Sequence, residues 1–302
     1  MSSPLIFDSS LLRVRRRRAV VLGAETFLID RVAQDLAERL SVVRRSFDLT
    51  LDLGTPTDAV RRALKDRVGT LIAVDAMAEH LRQAGSAVAA DAEALPFRDA
   101  SVDLIVSGLS LQWANDLPGA LLQIRRALKP DGLFLAALIG GETLTELRQA
   151  FAAAEVEVEA GVSPRVAPFA ALRDLGALLQ RAGFALPVVD VDRITVRYAT
   201  PFDLLHDLRR MGAGNALIER RRTPLRRRTL MRMADIYAQR FADADGRVRA
   251  TFDVVWLLGW APHPDQPQPL KPGSAQMRLA DALGSGAGSQ KSAVKGPPDS
   301  DN

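Results

Sequence analysis

SFDLTLDLGTPTD, residues 46–58, runs from a short apolar strand over Leu49–Leu53 into a turn closed at Gly54. A short helix, Ala59–Lys65, is predicted behind the turn. GTLIAVD (69–75) then reads as a second buried strand that ends in an acid, and AMAEHLRQA (76–84) as a helix. AVAADAEALPF (87–97) supplies a short third strand and a loop. SVDLIVSGLSLQW (101–113) holds a fourth strand at about Leu104–Ser107. LPGALLQIRRALKPDG (117–132) is an amphipathic helix stopped by Pro130 and Gly132, and LFLAAL (133–138) is a fifth strand. Strands thus alternate with helices from residue 49 to residue 138. This is the pattern of an α/β, doubly wound parallel sheet with helices on both faces.

Upstream, Phe27, Leu28, Val32, Leu36 and Leu40 recur at helical spacing, while residues 1–18 read as an irregular basic arm. Downstream the rhythm changes. Helices are predicted over Thr143–Ala154 and Ala170–Ala182, the latter ending at Gly183. A strand follows over ALPVVDVDRITVRY (185–198), then a helical stretch over 201–240, and ATFDVVWLLGWAP (250–262) is a strongly apolar last strand. From Pro262 the composition turns to Pro, Gly, Ser and Lys, which predicts a mostly disordered tail over 262–302. One domain over 19–261 is expected between the arm and the tail.

Composition narrows the chemistry. The chain has 302 residues, 47% of them hydrophobic, enough to bury a core without cross-links. It contains no cysteine, which excludes disulfides, thiolate metal sites and a cysteine nucleophile. The only histidines are His80, His206 and His263, too few and too scattered for a multi-histidine metal centre. Net charge is +4, and 35 of the 40 basic residues are arginine, clustered at 13–18, 220–222 and 226–228. Such runs are usually solvated faces, and the few aromatics leave little for base stacking, so nucleic acid is not the expected partner. With no membrane-length apolar run and no secretory signal, a cytoplasmic protein is expected.

In a doubly wound sheet, ligands lie at the carboxyl ends of the strands where strand order reverses. Gly54 closes the first strand there, where close backbone approach to a ligand is useful. Asp75, ending the second strand, suits either a ribose diol or the N-cap of the next helix. Asp91, beside Ala92, can accept from an adenine amino group, or its loop can simply be anchored by Leu95, Pro96 and Phe97. Gln112 and Trp113 follow the fourth strand, where substrate-facing groups belong; Trp113 alone is equally an ordinary core aromatic.

The ordered series LDLG (51–54), AVD (73–75), AADAEALPF (89–97), SVDLIVSGLSLQW (101–113) and LKPDGLFLAAL (128–138) resembles the class I S-adenosylmethionine-dependent methyltransferases. The second half narrows the resemblance. GGETLTELRQA (140–150), SPRVAPF (163–169), DLGALLQRAGF (174–184), LLHDLRRMGAGNAL (204–217) and IYAQRFADADGRVRATFDVVWLLGW (236–260) are similar to the methyltransferase-fold assembly factors of respiratory complex I. The start, FDSSLLRVRRRRA, is similar to that family too. Related to them are the malonyl-carrier-protein methyltransferases of the biotin pathway. The resemblance implies a Rossmann-like, seven-stranded sheet with a helical insertion (201–240) before the last strand. It implies S-adenosylmethionine held by Asp52, Gly54, Asp75, Ala76, Asp91, Ala92 and Ser107, substrate-side roles for Gln112 and Trp113, and no metal. It further implies a protein substrate, a peripheral-arm subunit of complex I, on which the mitochondrial relative acts as an arginine hydroxylase. The arginine clusters suggest loose contact with an anionic membrane at its inner face.

The chain also departs from the family. Where the first motif ordinarily continues with two further glycines, it has Pro56 and Asp58. Proline has no N–H, and the Asp58 carboxylate is expected to oppose the cofactor's own. Either other contacts hold the cofactor, or the fold persists as a noncatalytic assembly chaperone. Gln112 stands where the mitochondrial relatives carry histidine; it can orient a substrate but cannot serve as a general base near neutral pH. A malonyl-carrier-type O-methyltransferase, whose relatives share that glutamine, is the further alternative.

Overall fold

The structure is a computed structural model that describes residues 5–82, 84–159 and 161–266. The chain divides into a main unit, Met1–His263, and a second, Pro264–Asn302. Most of the expected tail, residues 267–302, lies outside the described residues.

The main unit is built on one seven-stranded sheet. Its strands are β1 (Leu49–Leu53), β2 (Thr70–Asp75), β3 (Ala87–Ala89), β4 (Val102–Gly108), β5 (Leu128–Gly140), β6 (Ala185–Tyr198) and β7 (Val248–Trp260). Their order is β3-β2-β1-β4-β5-β7-β6. β1 pairs in parallel with both β2 and β4, while β7 lies antiparallel between β5 and β6. The sheet is therefore mixed, and its topological switch lies between β1 and β4, where the carboxyl ends open a crevice.

Side-chain alternation sorts the strands between two helical layers. Leu104, Val106, Leu133, Leu135 and Ala137 face α2 (Phe27–Ser41), α3 (Ala59–Leu64) and α6 (Thr145–Glu159). Leu51, Leu53, Ile105, Phe134, Ala136 and Leu138 face α5 (Leu117–Ala127) and α7 (Leu172–Arg181). A short helix, α4 (Ala78–Leu81), follows β2. The insertion before β7 holds two helices, α8 (Pro201–Arg210) and α9 (Arg227–Phe241). Residues 211–226 between them are not helical, unlike the continuous helical stretch expected over 201–240.

The N-terminal arm differs more sharply from expectation. From Ser9 it is a helix, α1 (Ser9–Leu22). Asp8 caps it, its carboxylate accepting from Leu11 N at 2.9 Å. Leu12 and Ala19, two turns apart, are buried, and arginine is itself a good helix former. Before α1 the chain is fastened at several points. Asn115 Oδ1 accepts from the backbone N–H groups of Ile6 and Phe7 at 2.9 and 2.8 Å. The Phe7 ring meets Trp113 edge-on at 5.2 Å, and Asp8 N donates to Ala216 O. Residues 1–4 lie outside the described residues. Among the described residues no helix is long and apolar enough to cross a membrane.

Candidate functional site: a crevice beside a large cavity

At the carboxyl ends of β1 and β2 lies a crevice of about 90 Å³, into which Gly54, Asp75, Ala76, Asp91 and Ala92 converge. Gly54 has φ +72°, and a Cβ there would come within 2.2 Å of Ser110 Oγ. Its N–H donates to Val74 O at 2.6 Å, which fixes the turn against β2. Position 54 therefore needs glycine twice over, for its backbone angle and for its space.

Asp75 is almost fully buried. Oδ1 accepts from Met77 N at 2.6 Å and Oδ2 faces His80 Nδ1 at 3.0 Å. Asp75 is not the N-cap of α4, which is Met77; its carboxylate instead braces the turn that leads into that helix. One hydrogen bond to each oxygen organises the turn into α4, and each oxygen retains capacity for a further donor in the crevice. Asp91 is more open; its Oδ1 accepts from Glu93 N at 3.1 Å and its Oδ2 lies 3.7 Å from Arg13 Nη2.

Two sequence-predicted residues do not join them. Asp52 lines neither the crevice nor the larger cavity described below. Strand alternation points it away from Leu51 and Leu53, toward α3, where its Oδ2 accepts from Arg61 Nη1 at 2.7 Å and its Oδ1 from Thr55 Oγ1. Burial outweighs both partners and pushes its carboxyl up to about 6, with the nearby Asp75 charge acting in the same direction. Ser107 is likewise buried, and its hydroxyl donates to Leu53 O at 2.8 Å. Both residues brace the site from behind.

Pro56 and Asp58 also fall differently from expectation. The Asp58 carboxylate lines neither cavity and lies 3.4 Å from Arg62 Nη1. Pro56 borders only the larger cavity. The turn between them and β1 is held by Thr55, whose hydroxyl donates to Asp52 and accepts from Gly108 N at 3.1 Å.

The larger cavity, about 570 Å³, is walled by apolar side chains from α2, α6, α8 and the end of β5. Its size is that of an ordinary small-molecule site. Gln112 and Trp113 border it, and Trp113 is shared with the crevice. Gln112 Nε2 donates to Leu109 O at 2.8 Å, whereas its buried Oε1 has no partner. Leu109 holds φ +51°, a strained angle for leucine that turns the chain sharply out of β4.

Sequence reasoning missed α1 as a wall of both cavities. Arg16 borders the crevice and the larger cavity alike. Arg13 reaches Asp91, and Arg17 Nε lies 2.8 Å from Glu79 Oε1. The available signal was Asp8 as a cap, with Leu12 and Ala19 in helical phase behind it. Arg15, Arg18 and Arg209 add charge to the wall of the larger cavity. The other arginine clusters are partly spent inside the fold. Arg220 pairs with Asp8 at 3.1 Å, and Arg221 and Arg226 pair with Glu159 at 3.1 and 3.4 Å. Among the described residues no three His, Asp or Glu side chains converge in an arrangement able to hold a metal ion.

Comparison with known proteins places this geometry. Residues 51–136 match the model of a methyltransferase domain. The chain is 39% identical over 286 residues to the mitochondrial arginine-hydroxylase NDUFAF5 of Danio rerio, covering 91% of this chain and 89% of that one. With human NDUFAF5 the identity is again 39% over 286 residues, covering 91% and 83%. A malonyl-[acyl-carrier protein] O-methyltransferase of Halorhodospira halophila is 39% identical over 240 residues, covering 76% and 79%. Among solved structures, YcgJ of Bacillus subtilis superposes with a TM-score of 0.53 at 16% identity, over 76% of this chain and 98% of that one. That likeness is one of fold. The sequence identities go further: the chain belongs to the methyltransferase-domain family that contains the NDUFAF5 arginine hydroxylases and the malonyl-carrier O-methyltransferases.

Proposed function

We propose that the protein is an S-adenosylmethionine-dependent enzyme of respiratory complex I assembly that modifies a side chain of a peripheral-arm subunit. One observation carries the reading: two carboxylates, Asp75 and Asp91, flank a crevice that Gly54 keeps open beside a cavity large enough for an acceptor. The residues fit an adenosyl group. Gly54 allows close backbone approach, Asp75 retains acceptor capacity for ribose hydroxyls, and Asp91 is available to an exocyclic amine. The crevice itself, about 90 Å³, opens beside the larger cavity, and Arg16 and Trp113 border both.

Bound there, the cofactor supplies an electrophilic methyl group. The chain's own part is alignment and exclusion of water. Trp113 forms a wall common to both cavities, and the unpartnered Gln112 Oε1 can accept from an acceptor N–H or O–H. The test is deletion of the gene with mass spectrometry of the peripheral-arm subunits. The expected result is loss of one modification and impaired complex I assembly. Unchanged subunits with normal complex I contradict the proposal. An Asp75→Ala variant that binds no cofactor yet restores assembly supports the chaperone reading instead.

One observation favours a second reading. Arg15, Arg18 and Arg209 border the larger cavity and outnumber the acid there, Glu25, which is paired with Arg210, an environment that suits an acidic acceptor better than a cationic one. A malonyl-carrier-type O-methyltransferase fits that wall, and turnover of a malonyl-carrier thioester would favour it. For partners beyond the substrate, the exposed Arg222, Arg227 and Arg228 support peripheral contact with an anionic membrane. Binding to anionic vesicles that disappears with added salt is expected, and salt-insensitive binding contradicts it.

A further inference from the structure

We infer that Arg16 of α1 is the anion-holding residue of the cofactor site, binding the carboxylate at the amino-acid end of the adenosyl cofactor where Pro56 has removed a loop N–H. This rests on the reading that the crevice binds that cofactor.

The loop offers an anion fewer N–H groups than a three-glycine turn. Gly54 N is committed to Val74 O, Pro56 has no N–H, and Ala59 N is turned to Thr57 Oγ1 at 3.2 Å, which leaves the N–H groups of Thr55, Thr57 and Asp58. Arg16 stands where that deficit falls. It borders the crevice and the larger cavity together, and so the junction at which a group attached to the nucleoside leaves the first for the second. Its guanidinium makes no ion pair or hydrogen bond among the described residues. Burial holds it below the ordinary arginine range, and the charges of Asp75 and Asp91 oppose that fall. Both acids act on its charge, but neither touches it directly: Asp75 faces Met77 N and His80, and Asp91 lies 3.7 Å from Arg13. A half-buried cation with no direct hydrogen bond or ion pair, bordering two cavities, can take up an anion.

Its position is built rather than loose. One residue on, Arg17 pairs with Glu79; three residues back, Arg13 reaches Asp91. The backbone of α1 also lies close against Gly212, where a Cβ would come within 3.1 Å of both Cα and Cγ of Arg16. Asp58, the carboxylate expected to repel the cofactor, is directed to Arg62 and lines neither cavity.

Two ligands separate the parts of the site. S-adenosylhomocysteine carries the amino-acid carboxylate, and 5′-methylthioadenosine keeps the adenosine and thioether without it. Calorimetric titration of the full chain, of Arg16→Ala and of Arg16→Lys with each ligand is the test. Arg16→Ala is expected to weaken S-adenosylhomocysteine by about 10- to 100-fold, as for a lost charged hydrogen bond, and to leave methylthioadenosine within about twofold. Arg16→Lys is expected to recover part of the loss, since a point charge remains without the fork. Retained methylthioadenosine binding also reports that the variant is folded. Equal loss of both ligands, no loss of either, or a gain for both overturns the inference, the last marking Arg16 as an obstruction. A wild-type chain that binds neither ligand overturns the cofactor reading itself.

Discussion

His80 Nδ1 lies 3.0 Å from Asp75 Oδ2, with both side chains almost wholly buried. The acid that ends β2 is thus aimed by the segment that follows it. Met77 N fixes one oxygen and the imidazole the other. Removing His80 leaves the carboxylate in place with one fewer restraint. His80→Ala is expected to weaken S-adenosylhomocysteine by about fivefold, one hydrogen bond's worth, while Asp75→Ala abolishes measurable binding. Titration calorimetry of both variants checks this. Unchanged affinity in His80→Ala would show that the imidazole only packs.

Asp52 and Arg61 form a buried pair whose worth depends on pH. The folded-state pKa of Asp52, about 6, lies above its ordinary 3.8, so the folded protein holds a proton in that interval that the unfolded chain has lost. The contribution of Asp52 is fully present below the lower value and is lost as pH rises toward the upper one, by an amount on the order of 3 kcal/mol at most. Asp52→Asn should remove this slope between pH 4 and 6 from denaturant-melt profiles. A difference from wild type that does not vary with pH would contradict it.

The same pair predicts a non-additive series. Arg61→Met strands a buried carboxylate and should cost about 3–5 kcal/mol near pH 8. Adding Asp52→Asn should restore most of that loss, because the uncompensated charge is gone. Urea melts of the two single variants and the double variant give the coupling, and additive losses would mean that the two side chains do not interact.

Gly54→Ala adds a Cβ at φ +72°, 2.2 Å from Ser110 Oγ. Strain and displacement of the β4 loop together should cost about 1–3 kcal/mol and open the turn on which the nucleoside rests. Loss of cofactor affinity with a lowered melting point is expected. An unaltered melting point would show that the turn relaxes freely.

At Gly212, φ is +69°, and a side chain there would press on Arg16. Gly212→Ala is expected to loosen α1, so that its amides exchange faster with deuterium while those of β4 and β5 stay protected. Unchanged exchange across Ser9–Leu22 would contradict the close packing of α1 on the end of α8.

How far the sequence revealed this molecule depended on whether hydrophobic phase or tertiary contact decided the outcome. β1 to β5 are legible because their apolar runs end in turn residues, and Asp75 is placed because it is the last residue of β2, whereas Asp91 stands two residues beyond β3. Asp52 alternates with Leu51 and Leu53, so it faces the other layer, against Arg61 and outside the crevice. Nothing local reveals that the Ser107 hydroxyl is taken by Leu53 O across the sheet. α1 was hidden by its arginines, which break the apolar stripe. Their neutralising partners, Glu79 and Asp91, lie far along the chain. The antiparallel placement of β7 was beyond local patterning, since a strand between two neighbours is apolar whichever way it runs.

The direct test of the central claim is titration of the purified chain with S-adenosylhomocysteine. The account predicts saturable one-to-one binding that Asp75→Ala eliminates. Absence of binding at millimolar ligand, or binding indifferent to Asp75, would contradict it and leave the sheet as an inherited scaffold.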